Sequence, residues 1–116
     1  MKEHGIQLII DLHGAKESHP FSIDVGTGHQ KTLSRETFEL FCSTVNQAEN
    51  HSFIITENHT FFAKPNTVVH DLHKRTNIET MQLEINRKYR KPTEDLQSFV
   101  SLLQGLICFI QKRANK

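Results

Sequence analysis

Strand-like and helix-like stretches alternate along this chain, and their order constrains the fold more than any single motif. Gly5 to Gly14 holds a nearly continuous apolar run, Ile6 to Ile10, that ends at a polar cluster. The pattern predicts a strand buried on both faces, as in a parallel sheet. Residues 14–20 read as loop. Phe21-Ser22-Ile23-Asp24-Val25 alternates with period two and stops at Gly26-Thr27-Gly28, which predicts a short strand. Ser34 is placed to cap a helix over about residues 35–48, with Phe38, Phe41 and Val45 on one face. Ser52 to Thr56 is a second short β-rich run, 57–67 is irregular, and 66–75 is expected to form a short helix. In Thr80 to Asn86, Met81, Leu83 and Ile85 share one face, and Gln82, Glu84 and Asn86 the other. Pro92 and Thr93 open a last helix. Leu96, Phe99, Val100, Leu103, Leu106, Ile107 and Ile110 recur on it at helical spacing, up to the basic pair Lys112-Arg113. A stripe of this kind is more often core than interface, although unmatched it drives self-association. The expectation is one α/β domain over residues 1–116, with a mostly parallel or mixed sheet flanked by helices.

Composition narrows the function classes. Fourteen Lys and Arg against thirteen Asp and Glu leave a formal charge of +1, so no bulk field recommends nucleic acid or an anionic membrane as partner. The short run Ile6–Ile10 is below the ~7–15 residues of a secretory core and the ~20 of a membrane span, and a cytoplasmic location is expected. Two cysteines, Cys42 and Cys108, are too few for a disulfide framework and read as small core hydrophobes. Eight histidines with no tryptophan are the unusual count, and imidazole suits metal binding and proton transfer near neutral pH.

Two polar groups stand at predicted strand ends, where α/β sheets collect their chemistry. Asp11-Leu12-His13 closes the first strand. There Asp11 either holds the second ring nitrogen of His13 or serves a neighbouring loop. Glu84-Ile85-Asn86-Arg87 closes the late one. Glu84, between Leu83 and Ile85, is expected to border a dry site where burial raises its pKa, which suits a general base or acid. Arg87 offers a planar fork for a substrate carboxylate. A strand-end histidine is more often a hydrogen-bonded structural residue than a ligand, and the residues alone leave that choice open.

Ile9-Ile10-Asp11-Leu12-His13-Gly14 followed by Met81-Gln82-Leu83-Glu84-Ile85-Asn86-Arg87 resembles the N-formylglutamate amidohydrolase family, related to zinc carboxypeptidases and aspartoacylase-like hydrolases. The resemblance runs from Ile6 to about Arg90. It implies a phosphorylase/hydrolase-like fold and zinc-dependent hydrolysis of an amide bond in a small N-acyl amino acid. It also implies His13 as a zinc ligand supported by Asp11, Glu84 as the catalytic base and acid, and Asn86 and Arg87 lining the substrate pocket. The family's other ligands come from an H-x-x-E motif upstream, and this sequence contains none; it also lacks the family's Gly-rich segment ahead of Met81. The chain is therefore expected to correspond to the carboxyl-terminal part of such a domain, incomplete at its amino end. A rival expectation is a non-catalytic remnant or interaction module that needs a partner chain for the missing ligands. A third is a stand-alone metal site built from His13 with His70 and His73, which share a helical face at i and i+3.

Overall fold

The sheet is built around its late strand. A computed structural model describes residues 5–47, 53–59 and 67–115. In chain order the elements are β1 (Leu8–Ala15), β2 (Ile23–Gly26), α1 (Arg35–Val45), β3 (Ile55–Glu57), α2 (Val68–Thr76), β4 (Glu79–Asn86), a 3-10 turn (Arg87–Arg90) and α3 (Leu96–Ala114). The strand order is β1-β4-β2-β3. β4 pairs parallel with β1 and antiparallel with β2, and β2 pairs parallel with β3, so the α/β domain carries a mixed sheet.

The alternation read in β4 becomes its two faces. Met81, Leu83 and Ile85 join Ile23 and Val25 in one cluster with Phe41 and Val45 of α1 and Leu102 and Phe109 of α3. Each such side chain fully removed from water contributes about 1.5–3 kcal/mol. Phe41 and Phe109 meet edge to face at 5.1 Å. Ser34 caps α1, its hydroxyl accepting from the Thr37 N–H. On the opposite face, α2 lies against the start of β4, where the Thr80 hydroxyl donates to the Val69 carbonyl at 2.9 Å. Asn77 at φ 58° closes α2 in the left-handed region, its N–H donating to the His73 carbonyl.

Four expectations need correction. First, β1 runs on through Ala15, so Asp11 and His13 sit inside the strand and not at its end. Gly14 pairs with Ile85 inside the strand, and the Arg90 guanidinium crosses it so closely that a Cβ there would lie 2.7 Å from Arg90 Cζ. Second, β1 is an edge strand and not one buried on both faces. Leu12 is 62% exposed although the apolar run is nearly unbroken. Third, α3 starts at Leu96 with Asp95 as its cap, accepting from the Ser98 N–H and hydroxyl.

The fourth correction concerns which side of α3 faces in. Its buried residues are Ser98, Ser101, Leu102, Gly105 and Phe109, while Leu96, Val100, Leu103, Ile107 and Ile110 face outward. Small residues allow close approach: a Cβ on Gly105 would come within 3.1 Å of Val45 Cα. Of the predicted stripe Leu106 packs against the core, and steric fit around Gly105 turns most of the rest outward. Cys108 is exposed as a result, while Cys42 is half-buried, and burial pushes its thiol up to about 11. Among the described residues no helix is long and apolar enough to cross a membrane. Phe61, Phe62 and His51 lie outside the described residues.

Candidate active site

Register brings the polar residues of three strands into one row. His13 of β1 lies opposite Glu84 of β4, and Glu84 lies opposite Asp24 of β2, while Asp11 pairs with Gln82. Paired residues project to the same side of a sheet, so these five share the face opposite the apolar core.

The histidine is held in a fixed orientation. Asp11 Oδ2 lies 2.7 Å from His13 Nε2, and His13 Nδ1 lies 3.9 Å from Glu84 Oε1. Of the two sequence alternatives for Asp11, the structure shows contact with His13. That hydrogen bond raises the imidazole above its ordinary range, against the lowering effect of partial burial, and the charges of Asp11 and Glu84 add to the rise.

Glu84 is buried, 3% exposed, with Asp24 and Gln82 buried on either side of it. Burial raises its carboxyl above the usual range. The hydrogen bond from Gln82 Nε2 to Glu84 Oε1 at 2.7 Å and the positive His13 pull the other way, and the nearby Asp24 and Asp11 push it up again. Asp24 is itself fixed, its Oδ1 accepting from the Thr56 hydroxyl at 2.8 Å and the His59 N–H at 2.9 Å. A buried carboxyl with a raised pKa beside a carboxylate-held imidazole is a pairing of groups suited to proton transfer.

The structure treats the remaining sequence candidates differently. Asn86 is buried and its amide is committed internally. Its NH2 donates to the Glu17, His19 and Phe21 carbonyls at 3.3, 3.2 and 2.9 Å, and its Oδ1 accepts from the Lys88 N–H. It clamps the 16–22 segment against the end of β4. Arg87 opens the 3-10 turn and is exposed. His73 Nδ1 meets the Ile78 carbonyl at 2.7 Å, an engagement that ties α2 to the chain entering β4. Sequence reasoning missed Asp24 and Gln82. The signal for Asp24 was present, an acidic residue between Ile23 and Val25 in an alternating strand. Its meeting with Glu84 depends on strand order.

The donor set matches zinc in kind but not in number. Imidazole and carboxylate are the right kinds of ligand, and the Asp11–His13 contact is the carboxylate–histidine arrangement that orients metal-bound histidines. Their number falls short. Among the described residues no three His, Cys, Asp or Glu side chains stand together as a metal-holding group, and His13, His70 and His73 do not form one. No protein-family model, curated protein or solved structure matches this chain. Fold and site together define a small α/β domain with a buried carboxyl beside an imidazole on the polar face of a mixed sheet.

Proposed function

We propose that this chain carries the proton-transfer half of an amide hydrolase acting on a small N-acyl amino acid, of the N-formylglutamate amidohydrolase type. The observation that supports the reading is the buried Glu84 carboxyl 3.9 Å from a His13 ring whose far nitrogen Asp11 already holds. Glu84 takes a proton from the attacking water and passes it to the leaving nitrogen, so that amide and water become acid and amine. Asp11 fixes the His13 tautomer, leaving Nδ1 directed at the shared space. Arg87, exposed at the end of β4, supplies the fork for the substrate carboxylate. Asn86 supports the wall of the site through its three carbonyl contacts. His13 would serve as one zinc ligand, and a zinc ion held there would polarise the amide carbonyl and acidify its water. The remaining ligands are not among the described residues.

That shortage favours a second reading, a module without activity of its own that completes its site with donors from a partner chain. One experiment separates the two. Purified chain is loaded with zinc, and metal content and N-formylglutamate hydrolysis are followed for the unmodified protein, His13→Ala and Glu84→Gln. The hydrolase reading expects bound zinc that His13→Ala removes, and hydrolysis that Glu84→Gln lowers by ~10²–10⁴-fold with zinc retained. A chain that binds no zinc and hydrolyses nothing overturns it in favour of the partner-dependent module.

A further inference from the structure

The two edges of the sheet are built differently. β3, at one edge, is three residues long. β1, at the other, runs for eight residues from Leu8 to Ala15 and carries neither proline nor lysine, the residues that commonly blunt an edge. No strand among the described residues pairs with its outer side. Leu12, His13 and Gly14 are exposed there, and Leu12 is 62% exposed although it stands level with the fully buried Leu83 of β4. An open row of backbone N–H and C=O groups beside an exposed leucine is a template for another strand.

We propose that β1 pairs antiparallel with β1 of a second copy of the chain, about a two-fold axis at Leu12, so that two four-stranded sheets become one continuous sheet. The order of residues in the strand selects that occupant. Antiparallel pairing of identical strands sets one residue opposite itself and its neighbours opposite one another in reverse. Centred on Leu12, Asp11 stands opposite the partner's His13 and His13 opposite the partner's Asp11, so acid meets imidazole twice on the polar face. The two Leu12 side chains shield one another on the other face, and Ile10 falls opposite the partner's Gly14, which has no side chain to clash. Neighbouring registers lose this match. Centring on Asp11 opposes two carboxylates, centring on His13 opposes two imidazoles, and centring on Ile10 sets Asp11 against Ile9. Asp11 can serve both contacts: its Oδ2 holds His13 of its own chain at 2.7 Å, while its Oδ1 accepts from no group among the described residues. The partner's Asp11 thereby extends the row of Asp24, Glu84 and His13 by one carboxylate beside the imidazole.

Sedimentation of the full chain over a range of concentrations, with oxidative cross-linking in a Cys108→Ser background, tests this. The unmodified chain is expected to form a reversible, concentration-dependent dimer. Leu12→Lys sets two like charges on the axis at an exposed position and should weaken the dimer at least about tenfold with the circular dichroism of the monomer retained. Leu12→Cys should cross-link to itself, because directly opposed residues stand within disulfide reach; Ile10→Cys should not, the two copies of that residue lying about 13 Å apart along the strands. Should Leu12→Lys prevent folding, the cross-linking pair decides. A chain that stays monomeric overturns the proposal, including one that pairs only with a different protein. So does an open-ended assembly, or a dimer indifferent to Leu12→Lys. A dimer that cross-links through Ile10→Cys and not through Leu12→Cys overturns the register. The zinc and hydrolysis measurements above do not depend on these outcomes.

Discussion

Glu79 and Glu84 stand on the same strand, both shielded from water, and the protein drives their carboxyls in opposite directions. Burial raises each. At Glu79 the raise is overcome by the Ser34 N–H at 2.7 Å, the Thr37 hydroxyl at 2.8 Å and the Arg113 guanidinium at 2.7 Å, and the carboxyl falls to about 2. That carboxylate ties the amino end of α1 to the carboxyl end of α3, where the α1 dipole also favours a negative charge. At Glu84 one amide from Gln82 answers the burial, two further carboxylates stand nearby, and the carboxyl stays above its usual range. Burial alone therefore does not decide what an acidic residue does. The number and charge of the groups facing it separate a carboxyl held ionised from one whose pKa stays raised.

The contrast breaks most visibly at Glu79. Glu79→Gln leaves the largely buried Arg113 without its counter-charge and should cost about 2–3 kcal/mol in urea unfolding; a loss below about 0.5 kcal/mol would show that the anchor is not structural. Next comes acid. Because the folded Glu79 carboxyl is depressed, its contribution is present above about 4.5 and lost as pH falls through about 2, a decline on the order of 2 kcal/mol after solvent screening. Glu84 carries the opposite sign. Its raised carboxyl makes the ionised form unfavourable in the folded state, and this cost fades as pH falls toward 4.5. Glu84→Gln at pH 8 should therefore leave stability equal or higher, and a marked loss in the same urea assay would erase the distinction. Gln82→Leu removes the one amide donor and should move the Glu84 midpoint upward, read from its side-chain carboxyl resonance. The smallest effect belongs to His13, which is 45% exposed at its side chain. Its raised pKa gives a stabilisation present below about 6.5 and lost as pH rises through the folded value, so Asp11→Asn should lower the imidazole midpoint seen by NMR.

Much of the fold was legible because it is local. The cap at Ser34, the period of β4 and the class of each element follow from neighbours in sequence, and all reappear in the structure. Asp11, His13 and Glu84 were legible as polar residues set in apolar strands. The length of β1 was not, because Gly14 reads as a loop signal until Arg90 is seen crossing it. The bonding of Asn86 was equally hidden, since its three acceptors belong to a segment 65–69 residues earlier in the chain.

The apolar pattern of α3 teaches the sharpest lesson. Periodicity ranks faces by hydrophobicity, and by that measure the stripe from Leu96 to Ile110 is the natural inside. Packing ranks them by fit, and α3 turns Gly105 and two serines toward α1 and the sheet. What the chain's order of residues determined by itself is the set of elements and the two faces of β4, because backbone geometry repeats every two or 3.6 residues regardless of surroundings. Only the tertiary structure decided that β4 would lie between β1 and β2, placing Glu84 between His13 and Asp24, and which side of α3 would meet water. Strand order and close packing join residues far apart in sequence, and no local period records them.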